Sequence, residues 1–326
     1  MRALLPLFRY AAGMKRPDAE QYSFLVGFEG DWRDTWWNAD FLELMARRWR
    51  LSEARRVLDV GCGVGHWGRA LLPYLAPGAT LDGVDREPEF AQKASLRAAE
   101  LGLADRVRYQ ASTAERLPFD DGTFDVVTCQ TVLMHLPDVP AALREMKRVL
   151  VPGGLVVASE PSNLTESMTQ LRGSVALPWP DILRLLDFQH TLEAGKIALG
   201  QGDSSIGDLL PGLFTKVGLT DLLVYQTDRC PALVPPYQTR DQVIELRQFL
   251  TWIDAGMCLL GGGTREQAEK LYHAGGGDPA KLTELWDLVV AQQQRWKAAI
   301  VAGEYDCGRA LTGYLVSGRK PADGST

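Results

Sequence analysis

One stretch constrains this chain more than any other: Val57-Leu58-Asp59-Val60-Gly61-Cys62-Gly63-Val64-Gly65. An apolar run holding a single acid ends in glycines at alternate positions. A strand that turns sharply into a helix needs positive φ angles, and glycine adopts them while leaving no Cβ in the way of a neighbouring molecule. The N–H groups at the start of the following helix then face a polar or anionic group. Three spaced glycines exceed what a bare turn requires, so the segment reads as a binding turn.

From this turn onward, short apolar runs alternate with amphipathic ones. Strands are expected at 57–60, 80–84, 107–111, 124–130 and 155–159. Helices are expected at 67–74 and 87–101, the second stopped by Gly102. Asp138 caps a further helix with Pro140 in its first turn, and Leu143, Met146, Val149 and Leu150 share its apolar face. This alternation implies an α/β fold with a mostly parallel sheet covered by helices on both faces. After Glu160 the rhythm changes. Residues 161–218 read as a helical insertion, 219–229 as a core strand, 230–306 as a second helical insertion and 307–318 as a last core strand. Residues 1–50 read as an N-terminal helical cap, 51–160 as a cofactor-binding core and 319–326 as a frayed tail. Thr264 and Gln267 form a capping box, Asp278-Pro279 starts a long helix and Gly303 stops it. All of this is read as one domain of 326 residues.

Composition narrows the function. Apolar residues make up 46% and charged residues 23%, which suits a packed globule. The net charge of −6 comes without a basic stripe, which argues against a nucleic-acid partner. Five cysteines stand alone, so neither a disulfide framework nor a metal site is expected. No apolar run reaches the length of a membrane span, and 3–8 is too short for a secretory core. A reducing cytoplasm is the expected location.

Gly63-Val64-Gly65-His66-Trp67-Gly68 spells GxGxxG, the mark of a dinucleotide site. Against a nicotinamide enzyme stand the strand's end at Val60, which makes Gly61 the first turn glycine, and the acid inside the strand. The segment resembles motif I of class I S-adenosylmethionine-dependent methyltransferases, especially those related to ubiquinone and menaquinone methyltransferases. Leu81-Asp82-Gly83-Val84-Asp85 is similar to motif II. Ala114-Glu115-Arg116-Leu117-Pro118-Phe119 with Asp121-Gly122-Thr123-Phe124-Asp125-Val126-Val127 resembles the adenine-site region and fourth strand. Arg148-Val149-Leu150-Val151-Pro152-Gly153-Gly154-Leu155 resembles the turn before strand five.

The resemblance implies a Rossmann-like seven-stranded sheet that binds S-adenosyl-L-methionine and releases S-adenosyl-L-homocysteine. It assigns Gly61, Gly63 and Gly65 to the methionine portion and ribose, Asp59 to the amino end directly or through water, and Asp85 to the ribose hydroxyls. It assigns Arg86 to the face of the adenine, Ala114 and Glu115 to its edge and Gln130 to the neighbourhood of the sulfonium. Where the family often has Gly-Asp-Ala, this chain has Ser112-Thr113-Ala114, so Thr113 replaces the adenine-binding acid with a hydroxyl.

A hydroxyl or carbon acceptor needs a base. His135 after strand four, Glu160 after strand five and His190 in the first insertion are the candidates. The competing readings are a structural histidine for His135 and a backbone-bonded loop carboxylate for Glu160. Among the N-terminal aromatics, Tyr22 and Trp36 are expected over the sulfonium through their π faces. Trp179, Trp252 and Trp286 line a substrate cavity or are simply core. The reading is methyl transfer to a small, partly apolar or aromatic metabolite, with O-methylation ahead of N- or C-methylation and a homodimer as a possible assembly. An RNA or protein methyltransferase and a non-enzymatic scaffold of the same fold stay open.

Overall fold

A computed structural model of the chain describes residues 31–165, 173–261, 263–308 and 313–322. The strands are β1 (Arg56–Val60), β2 (Thr80–Asp85), β3 (Val107–Ala111), β4 (Phe124–Gln130), β5 (Leu150–Pro161), β6 (Thr220–Gln226), β7 (Ala232–Leu233), β8 (Cys307–Gly308) and β9 (Gly313–Arg319). Seven of them form one sheet in the order β3-β2-β1-β4-β5-β9-β6. The first five run parallel, and β9 lies antiparallel between β5 and β6. The expected α/β sheet with helices on both faces is therefore present.

Parallel pairing follows from the helical crossovers His66–Leu71, Pro88–Glu100 and Val139–Arg148. Each covers a face of the sheet, so the central strands are buried on both sides: Val57, Leu58 and Val60 are fully enclosed. One apolar cluster packs Leu143, Met146 and Phe214 against one face. Another packs Met45, Trp49, Trp67 and Leu71 against the other. Strand order reverses between β1 and β4, which opens a crevice at the carboxyl ends of the strands.

The two insertions come together. Helix Trp179–Ala198 from the first packs with Arg240–Asp254, Arg265–Ala274 and Pro279–Ala302 from the second around Phe188, Phe249, Trp286 and Trp296. Spacing along the chain cannot show such a union, because the partners lie on either side of β6. The capping box of Thr264 and Gln267 forms as expected, Asp278 caps the long helix and Gly303 ends it in the left-handed region. A second capping box, Thr239 with Gln242, starts helix Arg240–Asp254.

Three boundaries differ from expectation. The last core strand starts at Gly313, because Cys307 and Gly308, expected within it, pair with β7 in a separate two-stranded sheet. β9 runs to Arg319, and the Lys320 ammonium donates to the Leu150 carbonyl at 2.7 Å, so the start of the supposed tail is anchored. Its main-chain groups find partners on β5, which outweighs its polar side chains. β5 also begins five residues early, at Leu150, by way of an irregularity opposite Phe124 and Val126.

Helices Trp179–Ala198 and Arg265–Ala274 approach so closely that a Cβ on Gly195 would lie 1.8 Å from the Leu271 carbonyl oxygen. Gly195→Ala is expected to cost about 1–3 kcal/mol through forced backbone movement. Gly212→Ala, which meets nothing within 4 Å, serves as the control. Thermal melts of the two variants check this; equal melting temperatures would contradict the packing.

Candidate functional site

The crevice runs across the ends of β3, β2, β1 and β4. Three strand spacings span about 14 Å, the reach of an extended nucleoside with a short tail. The cavity there measures about 320 Å³, close to the lower limit for small-molecule sites.

At the β1 end, Gly61 and Gly63 line the cavity. Gly61 has φ +66° and abuts Val132, where a Cβ would come within 2.4 Å. Gly63 has φ +51° and nothing within 4 Å of its missing Cβ. It is the position at which another molecule can reach the main chain. Gly65 is buried behind the turn, tight against Tyr109 and Arg69, and does not line the cavity. The turn's amides are largely spent internally: Cys62 donates to the Val84 carbonyl, Gly65 to the Cys62 carbonyl and Gly63 to Asp85 Oδ2. This departs from the expectation that they face a ligand.

Asp85 lines the cavity with both oxygens anchored, Oδ2 by Gly63 N–H at 2.8 Å and Oδ1 by Glu87 N–H at 3.0 Å. Burial raises its pKa, and the two amides oppose the rise. Asp59 does not reach the cavity. Its Oδ2 accepts from Gly68 N–H at 2.9 Å, and its Oδ1 is buried without a hydrogen-bond partner. Burial lifts its pKa to about 7. Asp59 thus stands behind the cavity wall, where it braces the helix that leaves the turn.

At the outer end, Arg86, Ser112, Thr113, Ala114 and Glu115 line the wall together, as expected. Arg86 pairs with Glu87 at 3.0 Å. Phe90, absent from the sequence reading, adds an aromatic face from the helix after β2. The only hint in the sequence was its place in the first turn of that helix.

At the β4 end, Gln130 and His135 line the cavity. Between them Thr131, a β-branched residue, takes φ +53°, an unusual conformation of the kind found where function constrains the backbone. Burial holds His135 well below the ordinary imidazole range, and Lys196, Arg33 and Arg86 push the same way, so it is uncharged at neutral pH. Glu160 is not a candidate base. It is 1% exposed and accepts three main-chain bonds, from Val132 and Leu133 at 2.9 Å and from Met134 at 3.2 Å. It is the carboxylate that shapes the turn carrying His135. Burial raises its pKa to about 7 against those bonds. His190 lies on the exposed face of helix Trp179–Ala198 and does not line the cavity, because Phe188 and Gln189 take the inward positions.

The 3-10 turn Asp31–Thr35 closes the cavity through Arg33, which sequence reasoning missed. An isolated arginine in an aromatic segment gives no periodic signal. Trp36 is displaced from its expected place: it is buried beneath the Arg33 guanidinium at 5.1 Å and packs edge-on against Trp32. Trp32 in turn packs against Trp252 of the second insertion. These neighbours hold Trp36 behind the wall. His66 lines the cavity, and its Nδ1 donates to Asp34 at 2.8 Å. Tyr22 lies outside the described residues. Trp179 is exposed and Trp286 belongs to the core of the insertions.

The seven-stranded sheet places its crevice at the switch point, where open α/β sheets bind their ligands. Residues 58–158 match the family profile described as a methyltransferase domain. The matched segment is the one that carries the motifs read from the sequence. YcgJ of Bacillus subtilis, named an uncharacterized methyltransferase, is 42% identical over 113 residues, 35% of this chain and 43% of its own length. Demethylmenaquinone methyltransferase of Lactiplantibacillus plantarum is 39% identical over 125 residues, 36% of this chain and 52% of that protein. The match thus spans about half the length of these curated relatives. Among solved structures, phosphoethanolamine N-methyltransferase 2 of Haemonchus contortus, crystallised with S-adenosylhomocysteine, superposes with a TM-score of 0.51 at 19% identity. The match covers 93% of this chain and 59% of that one. It shares the fold.

Asp59 and Glu160 bind protons more tightly folded than unfolded, where carboxyls titrate near 4. Their contribution to stability is complete below about pH 4 and is lost as pH rises through about 7. Asp59→Asn is expected to narrow the difference between the urea midpoints at pH 5 and pH 8. An unchanged difference would show that Asp59 is ionised throughout.

Proposed function

We propose that the protein transfers the methyl group of S-adenosyl-L-methionine to a small, partly apolar or aromatic metabolite. The carrying observation is the open main chain at Gly63 beside the doubly anchored Asp85, in a crevice of about 320 Å³. This donor set suits the ligand. A carboxylate fixed by two amides keeps lone pairs for two ribose hydroxyls. A main chain without Cβ atoms admits the tail, and Ala114, Thr113 and Phe90 offer a small, partly apolar recess for a base. When bound, the cofactor supplies an electrophilic methyl on a sulfonium.

The chain's own residues orient and exclude. Gln130 and the strained Thr131 form the wall beyond β4, at the mouth through which an acceptor enters. His135, uncharged and lining the cavity, is the group placed to take a proton from an acceptor hydroxyl at Nδ1 or Nε2. Holding acceptor and methyl group in line can lower a barrier by several kcal/mol. A crevice of about 320 Å³ with the N-terminal turn on one wall favours a small acceptor over a polynucleotide. O-methylation is preferred because a neutral base is at hand.

Calorimetry with S-adenosylhomocysteine is expected to show binding by the wild-type chain. Asp85→Ala should weaken it about tenfold or more through loss of charge-assisted bonds, and NAD should not bind. Binding of NAD in preference to S-adenosylhomocysteine would overturn the proposal. With an acceptor in hand, kcat/KM should show no imidazole-type inflection between pH 6 and 8, because His135 titrates below that window. His135→Ala should lower kcat about 10²-fold or more.

A further inference from the structure

An amino-acid tail brings a carboxylate into the crevice. Taken out of water, that charge needs a cation or several donors. The glycine turn supplies few, since the amides of Cys62, Gly63 and Gly65 already have partners within the protein. Among the described residues, two cationic side chains line the cavity, Arg33 and Arg86. Arg86 belongs to the β2 end, paired with Glu87. Arg33 comes from the opposite wall, from a turn pinned on three sides. Asp34 of that turn accepts from His66 beside the glycines, at 2.8 Å. Trp32 donates to Glu245 at 2.5 Å and packs edge-on against Trp252 with ring centroids 4.9 Å apart. Trp36 lies beneath the guanidinium at 5.1 Å. The guanidinium is thus set in place before any ligand arrives.

We propose that Arg33 is a specificity-determining residue that pairs with the carboxylate of the ligand's amino-acid end, so that the crevice selects nucleosides bearing a complete amino acid. The inference rests on the function proposed above. Arg33 carries charge against the cost of burial, which pulls its pKa down to about 10 while Asp85 and Asp59 pull it back. A carboxylate at this point would meet a guanidinium already set in the cavity wall. A planar fork also suits a carboxylate better than an ammonium would.

The test compares two ligands by calorimetry. S-adenosylhomocysteine has the tail carboxylate, and 5′-methylthioadenosine lacks the whole amino acid. The wild-type chain should prefer the former. Arg33→Met should lose roughly 30-fold or more of the affinity for S-adenosylhomocysteine and keep that for 5′-methylthioadenosine within twofold. Arg33→Lys, which retains the charge but loses the fork, should fall between; its affinity ratio gives the same test if Arg33→Met does not fold. Equal losses for both ligands, or no loss for either, would overturn the assignment while leaving the proposed cofactor intact. Failure of the wild-type chain to bind S-adenosylhomocysteine would instead overturn the proposed function itself.

Discussion

Buried carboxylates hold the crevice open. Loops at the carboxyl edge of a parallel sheet leave main-chain N–H groups with no strand to receive them, and leaving such groups buried and unpaired costs about 1–3 kcal/mol each. Asp59 takes the amide of Gly68, Asp85 those of Gly63 and Glu87, and Glu160 those of Val132, Leu133 and Met134. Each acid sits at or near the end of a strand and fixes the loop beside it. The cost is visible in Asp59 and Glu160, whose pKa values burial lifts to about 7. Without these contacts neither the glycine turn nor the His135 turn would have a defined shape.

The wall opposite the sheet is built differently. It comes from a short N-terminal turn clamped between the core, through Asp34 and His66, and the second insertion, through Trp32, Trp252 and Glu245. Among the described residues, the insertions thereby support the crevice without lining it. Their own helices pack with each other, as at Gly195 and Leu271, and form an apolar body beside the sheet. This arrangement connects a region of the chain that carries no family motif to the position of a single guanidinium in the site.

Much of the crevice lining was legible in the sequence because it is local. Gly61, Gly63, Asp85, Arg86, Thr113, Ala114, Glu115 and Gln130 all line the cavity, and each sits at the end of a strand whose apolar pattern is plain. Asp59 and Gly65 belong to the same motif yet lie behind the wall, because a motif records spacing and not which side of a turn faces out. Glu160 was chosen for its place after strand five and His190 for its place in the first insertion. One proved to be a fully engaged backbone acceptor and the other an exposed helix position.

The chain's alternating apolar runs and spaced glycines determined by themselves a parallel α/β sheet with a binding turn after β1, since both follow from local periodicity and from the φ angles that glycine permits. Only tertiary structure decided that Arg33 enters the crevice, that Trp36 stays behind it and that two separate insertions share one core. Those outcomes depend on contacts between residues as far apart as Trp32 and Glu245. Such pairings leave no trace in the pattern of either segment, because each is settled by what the folded chain brings alongside.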